Sequence, residues 1–138
     1  ISGGILVYQL LGDQVFDSEE IGKLIEDSTV FKLREDMSKR TKREDALAYK
    51  LSIGVKELNP DSKDFYNDEN EIDEFMTLAD ELAKTELEKV NLEFTIKNHY
   101  AYSYDEVENE VLIIVAIMHV QNGRRKIQDV LKRLMSQV

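Results

Sequence analysis

The sequence of 138 residues contains no cysteine. Disulfide bonds, thiolate metal sites and thiol nucleophiles are therefore excluded, whatever compartment the protein occupies. Only two histidines are present, His99 and His119. A zinc site built from three histidines of one chain is excluded as well. We expect His119, which lies within an apolar run, to be a core or boundary residue rather than a catalytic base.

Glycine is also scarce, with six residues in the chain, two of them at positions 3 and 4. This leaves little scope for a glycine-rich nucleotide cradle. The sequence contains no P-loop, no G-x-S-x-G elbow, no H-E-x-x-H helix and no C-x-x-C pair. Carboxylates are abundant, but sequence spacing cannot show that two of them share a pocket. A role without catalysis is therefore favoured over an enzyme.

Long apolar runs are missing too. The longest, Val111 to Met118, is far shorter than the roughly 20 residues that a membrane-spanning helix needs. No signal-peptide pattern precedes the first charged residues. We expect no membrane span in this chain and a cytoplasmic location. Because the chain begins with Ile1 rather than Met, an excised soluble domain of a larger protein is an alternative.

What the sequence does contain is typical of a folded protein. Hydrophobic residues make up 42% and charged residues 33% of the chain, which argues against disorder but predicts a heavily charged surface. The length lies in the usual range for one domain. We predict a single domain over residues 1–138, with 1–4 as a flexible lead-in.

The net charge of -10 is unevenly distributed. Residues 1–60 carry a net charge of -2, residues 61–110 of -12 and residues 111–138 of +4. A strongly negative body repels nucleic-acid phosphate and anionic membranes. The charge therefore disfavours nucleic acid as a partner and favours a protein with a basic surface.

Three capping patterns predict helices in the first half of the chain. Asp17 with Glu20 precedes an apolar stripe and predicts a short helix. Ser28 and Thr29 offer a second cap before apolar residues at helical spacing up to Met37. Thr41 with Glu44 predicts a helix over 42–58, ending before the only proline, Pro60. A glycine inside that helix, Gly54, hints at close packing against a neighbour.

The second half has the clearer periodicity. Residues 59–70 are polar and predict the main loop, and 72–90 have the apolar spacing of an amphipathic helix. Alternation over 91–102 predicts one or two strands. Residues 105–121 fit a buried helix or a central strand, with helix slightly favoured, and 124–138 predict a final helix. The two would then form a helical hairpin joined at Asn122 and Gly123.

The predicted fold class is mainly α, a compact domain of about five helices. The alternative is an α+β fold with a small antiparallel sheet in the 91–120 region.

Two charged clusters are candidate sites. An acidic loop could supply oxygen ligands to a divalent cation such as calcium or magnesium, although it lacks the EF-hand glycine and spacing. Its candidate ligands are Asp61, Asp64, Asp68 and Glu71. A basic cluster could contact phosphate or an acidic partner, but flanking acids make local salt bridges a sufficient explanation. It consists of Lys39, Arg40, Lys42 and Arg43.

The main functional hypothesis is a non-catalytic interaction domain, an adaptor, inhibitor or chaperone-like protein, that presents an acidic helical surface without a cofactor. Tyrosines add rigid contact area with a polar tip, and the strip containing Tyr100, Tyr102 and Tyr104 is the predicted aromatic part of that surface. The candidate partner-binding residues are Glu74, Glu81, Glu88, Tyr100 and Tyr102. One alternative is a metal-dependent enzyme or metal-regulated module using the 61–74 loop. Another is a homo-oligomer that buries the apolar run 111–118 between subunits.

Overall fold

The computed structural model describes residues 7–138, and the predicted lead-in at 1–4 lies outside them. These residues form an α+β fold with four α-helices and two antiparallel sheets, so the prediction of a mainly α domain with about five helices is wrong. Chain order is β1 (Tyr8–Leu11), β2 (Gln14–Asp17), α1 (Ser18–Ser28), β3 (Lys32–Asp36), β4 (Ala46–Gly54), α2 (Val55–Leu58), α3 (Glu69–Glu86), β5 (Thr95–Asp105), β6 (Glu110–His119) and α4 (Val120–Met135). Two 3-10 turns occupy Ser38–Thr41 and Leu87–Lys89.

The larger sheet has the strand order β3-β4-β6-β5, and all neighbouring strands are antiparallel. The central pair aligns Leu47 with Ile117 and Leu51 with Ile113. Because β4 and β6 are interior strands with both faces covered over most of their length, apolar residues occupy consecutive positions in them.

Helices cover both faces of this sheet. Side chains alternate between the two faces of a strand, so Val115 and Ile117 contact one layer while Ile114 and Ala116 contact the other. The first core includes the buried faces of α1 and α3. The second includes the buried face of α4. The sheet thus separates α1 and α3 from α4.

The β1–β2 hairpin docks against the connection that leads into β4. The Leu10 amide donates a hydrogen bond to the Glu44 carbonyl at 2.6 Å, and the Gln9 side-chain amide donates to the Ala46 carbonyl at 2.6 Å. Gly12 forms the hairpin turn with a φ of 69°, a conformation that favours glycine. The hairpin therefore lies at the end of β4 where the basic cluster is located.

The two helices predicted over 28–37 and 42–58 are absent from the described structure. Residues 32–36 form β3, and 46–54 form β4, leaving only a single helical turn at Val55–Leu58. Thr41 caps a turn rather than a helix, because its hydroxyl donates to the Ser38 carbonyl and accepts from the Arg43 amide. Gly54 ends β4, and a β-carbon added there would meet only Glu57 at an ordinary contact distance, so the inferred close packing there is also wrong.

The preference for helix over 105–121 is wrong as well, and the strand alternative is correct for Glu110–His119. Helix α4 begins immediately after this strand, so Asn122 and Gly123 lie in its first turns instead of joining two helices. The predicted helices that begin near residue 18, near 72 and near 124 are confirmed by α1, α3 and α4. Extended structure beyond residue 91 is confirmed by β5. Across residues 7–138, no helix combines the length and apolar character needed to cross a membrane.

Candidate functional site

An exposed acidic surface lies on α3. This helix begins at Asp68, whose carboxylate accepts hydrogen bonds from the amides of Asn70 and Glu71. Its inner face buries Phe75, Ala79 and Ala83 against the sheet. The 3.6-residue period therefore directs the residues on the opposite side of the helix to solvent.

Two of the three predicted partner-binding carboxylates, Glu74 and Glu81, lie in line on that outer side, about 10 Å apart along the helix axis. Glu88 is also exposed but lies beyond the end of α3, in the 3-10 turn Leu87–Lys89. None of the three makes an ion pair within residues 7–138. By contrast, Asp80 is held by His99 and Glu86 by Lys89. The structure thus leaves a subset of the acidic residues available to another molecule.

An exposed leucine lies within this line. Leu78 is 44% exposed and lies one turn from both Glu74 and Glu81. It belongs to a shallow groove of about 430 Å³ whose other lining residues are Asp73, Glu74, Thr77 and Glu81. We call the set Asp73, Glu74, Thr77, Leu78, Glu81 and Glu88 the α3 surface. It combines an apolar contact point with carboxylates around it.

The predicted metal loop has its carboxylates engaged separately. Asp64 pairs with Lys56, Glu71 lies 4.0 Å from Lys63, and Asp68 caps α3. The remaining candidate, Asp61, is exposed on the same loop. Within the described part of the chain, no group of three or more histidine or carboxylate side chains could hold a metal ion. The structure therefore does not bring these four residues together as a ligand set.

The predicted basic cluster is divided between paired and unpaired side chains. Arg40 lies 2.8 Å from Glu35, and Arg43 lies 2.7 Å from Asp45. The hydrogen bond from Arg43 lowers the pKa of the Asp45 carboxyl, and the same pair raises the pKa of Arg43. Lys39 and Lys42 are exposed and form no ion pair within residues 7–138.

The predicted tyrosine strip is split between the two faces of the sheet. Tyr100 pairs with Ile114 and shares its side of the sheet with α4, where Tyr102 also packs. The register shifts between Ala101 and Ser103, and this extra residue reverses the alternation. Tyr104 consequently packs on the other side. The structure therefore places Tyr100 and Tyr102 across the sheet from the α3 surface.

A small cleft of about 250 Å³ lies between the C-terminal half of α3 and β5. His99 lines it, and His99 Nδ1 lies 2.9 Å from Asp80 Oδ1, which also accepts the Ala101 amide. The Asp80 carboxylate thereby fixes the orientation of the His99 ring.

Lys97 also lines this cleft, and burial lowers the pKa of its ammonium group. The cleft thus combines a carboxylate-oriented histidine with a half-buried lysine. Its other lining residues are Lys84, Leu87 and Glu88. They include no hydroxyl or thiol that the histidine could activate as a nucleophile.

The apolar run 111–118 is the interior strand β6. All its residues except the partly buried Leu112 are buried against β4, β5 and the helices of the same chain. This burial within one chain accounts for its apolar character without a second subunit.

Sequence reasoning did not identify Leu78 or the pairing of Asp80 with His99. The exposure of Leu78 could have been predicted from the sequence, because Leu78 falls outside the apolar stripe of its own helix. The pairing of Asp80 with His99 could not, because the two residues belong to different elements and meet only through the packing of α3 on β5.

Searches of protein-family models, curated proteins and solved structures find no match to this chain.

Proposed function

We propose that this protein is a non-catalytic interaction domain whose α3 surface binds a protein partner with a basic surface. The observation that carries the proposal is the set of exposed carboxylates that make no ion pair among residues 7–138, with the exposed Leu78 between Glu74 and Glu81. A partner with lysine or arginine around an apolar side chain is complementary to this arrangement.

Each part of the surface has a different expected contribution. Exposed ion pairs contribute little individually, about 0.2–1 kcal/mol, and are weakened by salt. They would steer the partner and set its orientation. Burying Leu78 contributes about 1–2 kcal/mol that salt does not screen. Binding should therefore lose part of its strength at high salt and keep the remainder.

Selection from a random peptide library displayed against the full chain tests the proposal. We expect enriched peptides to carry net positive charge with at least one large apolar residue. They should bind the triple variant Glu74→Lys, Glu81→Lys, Glu88→Lys at least about tenfold more weakly, since three contacts change from attraction to repulsion.

A matched control carries the same change in charge away from α3. Glu93, Glu106 and Glu108 are exposed outside that helix, and their replacement by lysine should leave peptide affinity within about twofold. Leu78→Ala should weaken binding equally at low and high salt. Failure to enrich peptides, or enriched peptides that bind the triple variant and the wild type equally, would contradict the proposal.

A further inference from the structure

The net charge of the chain conceals a basic surface on the side of the sheet opposite α3. Helix α4 buries Ile127, Val130, Leu131 and Leu134 and exposes most of its charged residues. The exposed basic residues of α4 are Arg124, Arg125, Lys126, Lys132 and Arg133. None of them makes an ion pair within residues 7–138. The exposed face of α4 contains one acidic residue, Asp129.

The fold joins this helix to the basic cluster at 39–43, about eighty residues earlier in the chain. The Arg40 guanidinium donates to the Gln137 carbonyl, and the Gln137 side-chain amide donates to the Arg40 carbonyl, each at 3.3 Å. The pKa of Asp45 is lowered mainly by Arg43 and in addition by the charge of Lys126. We call Lys39, Lys42 and the five exposed basic residues of α4 the α4 surface.

The acidic side of the molecule does not cancel this positive field in physiological salt. The two outer faces are separated by the sheet and by two helices, each about 10 Å in diameter, so they lie more than about 20 Å apart. The Debye length at physiological ionic strength is about 8 Å. An approaching ligand therefore experiences mainly the charge of the face that it meets.

The uncharged residues of α4 indicate what kind of anion this surface would suit. Its large apolar side chains are buried, with only Val138 strongly exposed just after the helix. Tyr100, which is 47% exposed on the same side of the sheet, is the kind of anchor that a protein interface uses, whereas a helix that inserts into a membrane surface needs an exposed apolar face of its own. The exposed residues Gln121, Asn122 and Gln128 are of the types that contact phosphate and sugar in complexes with nucleic acid.

We propose that the α4 surface binds the phosphate backbone of double-stranded nucleic acid without sequence preference. The overall charge of -10 and the low net charge of the first 60 residues do not oppose binding to nucleic acid, because the phosphates contact only the α4 surface. If about four phosphates are neutralised, the logarithm of affinity should fall with the logarithm of salt with a slope of about -3.6. Raising salt from about 50 to about 200 mM should then weaken binding roughly a hundredfold.

Fluorescence anisotropy with the full chain and a mixed-sequence duplex of about 20 base pairs tests the proposal. The variant Arg125→Glu, Lys132→Glu should bind at least about tenfold more weakly and with a shallower salt slope. The control variant Lys23→Glu, Lys84→Glu has the same change in net charge at exposed positions outside α4. It should bind within about twofold of the wild type. Circular dichroism melting of both variants ensures that the comparison concerns folded proteins.

Two further ligands separate this proposal from its competitors. Polyglutamate and vesicles containing anionic lipid should bind more weakly than the duplex at the same salt concentration. Tighter binding of either one, equal effects of the two double variants, or no duplex binding at low salt would overturn the proposal. A second duplex of unrelated sequence should bind within about threefold of the first.

Discussion

Replacing Gly123 with alanine should destabilise the protein, although the same change stabilises most helices. A β-carbon at this position would lie 2.8 Å from both Cδ1 and Cγ1 of Ile96 and 3.0 Å from Cβ of Met118. Carbon atoms in ordinary contact lie about 3.5–4.0 Å apart. Helix α4 would therefore have to move away from β5 and β6 by several tenths of an ångström or more.

The expected magnitude follows from two opposing effects. Overpacking of this kind costs about 1–3 kcal/mol, while the higher helix propensity of alanine contributes about 1 kcal/mol in its favour. We expect a net loss of about 1 kcal/mol, which corresponds to a fall of roughly 3–4 °C in Tm for a chain of this size. Urea unfolding followed by circular dichroism measures the change directly.

A double-mutant cycle identifies the cause. In an Ile96→Ala background the two closest atoms are missing and only the 3.0 Å contact with Met118 Cβ remains, so Gly123→Ala should cost clearly less than in the wild type. Gln128→Ala, at an exposed position of the same helix, should change stability by less than about 0.5 kcal/mol. If Gly123→Ala stabilises the wild-type chain by about 1 kcal/mol, the described packing of α4 on β5 is incorrect.

Two further predictions concern charged side chains. Glu86→Gln should cost about 1–2 kcal/mol in urea unfolding at neutral pH, because the buried carboxylate accepts the Val30 amide and pairs with Lys89. Those contacts lower the pKa of Glu86. The loss of stability in Glu86→Gln should therefore be complete above pH about 4.3 and vanish as pH falls through the native pKa. A loss of stability that persists in acid would contradict this prediction. Lys97→Met should stabilise the chain by less than about 1 kcal/mol, because burial lowers the pKa of Lys97 and penalises its charge. The gain in stability of Lys97→Met should shrink as pH rises through the native pKa of Lys97 towards about 10.4. A variant that is less stable than the wild type at neutral pH would refute the claim that burial penalises the charge of Lys97.

The helices were predictable from the sequence because each has one polar face. In α3 and α4 the apolar residues recur in the sequence with the 3.6-residue period of a helix, and α1 has an N-terminal cap at Asp17. The strands β4 and β6 were not predictable in the same way. Burial on both faces removes the alternation that marks a strand, and a short apolar run then fits either structure. Ser103 and Glu106 have the spacing of a helix capping box, yet Ser103 is part of β5 and Asp105 caps the following turn.

The two proposed surfaces also differ in how far they could be predicted from the sequence. Glu74 and Glu81 lie on one helix, so their common orientation could be predicted from spacing alone, whereas Glu88 lies in the 3-10 turn that follows. The α4 surface joins residues near 40 with residues near 130, and only the sheet topology brings them together. Summed charge cannot reveal such a surface, because it does not record that a sheet separates the acidic side from the basic side.

In both proposals, two surfaces of opposite charge act independently on opposite sides of the sheet. Amide chemical shifts of the isotope-labelled chain test this independence when duplex DNA is added to a sample already saturated with a selected basic peptide. We expect the peptide to shift amides over 73–88, and the duplex then to shift those over 39–43 and 121–133 without releasing the peptide. Displacement of the peptide by the duplex, or shifts by both ligands in the same region, would contradict it.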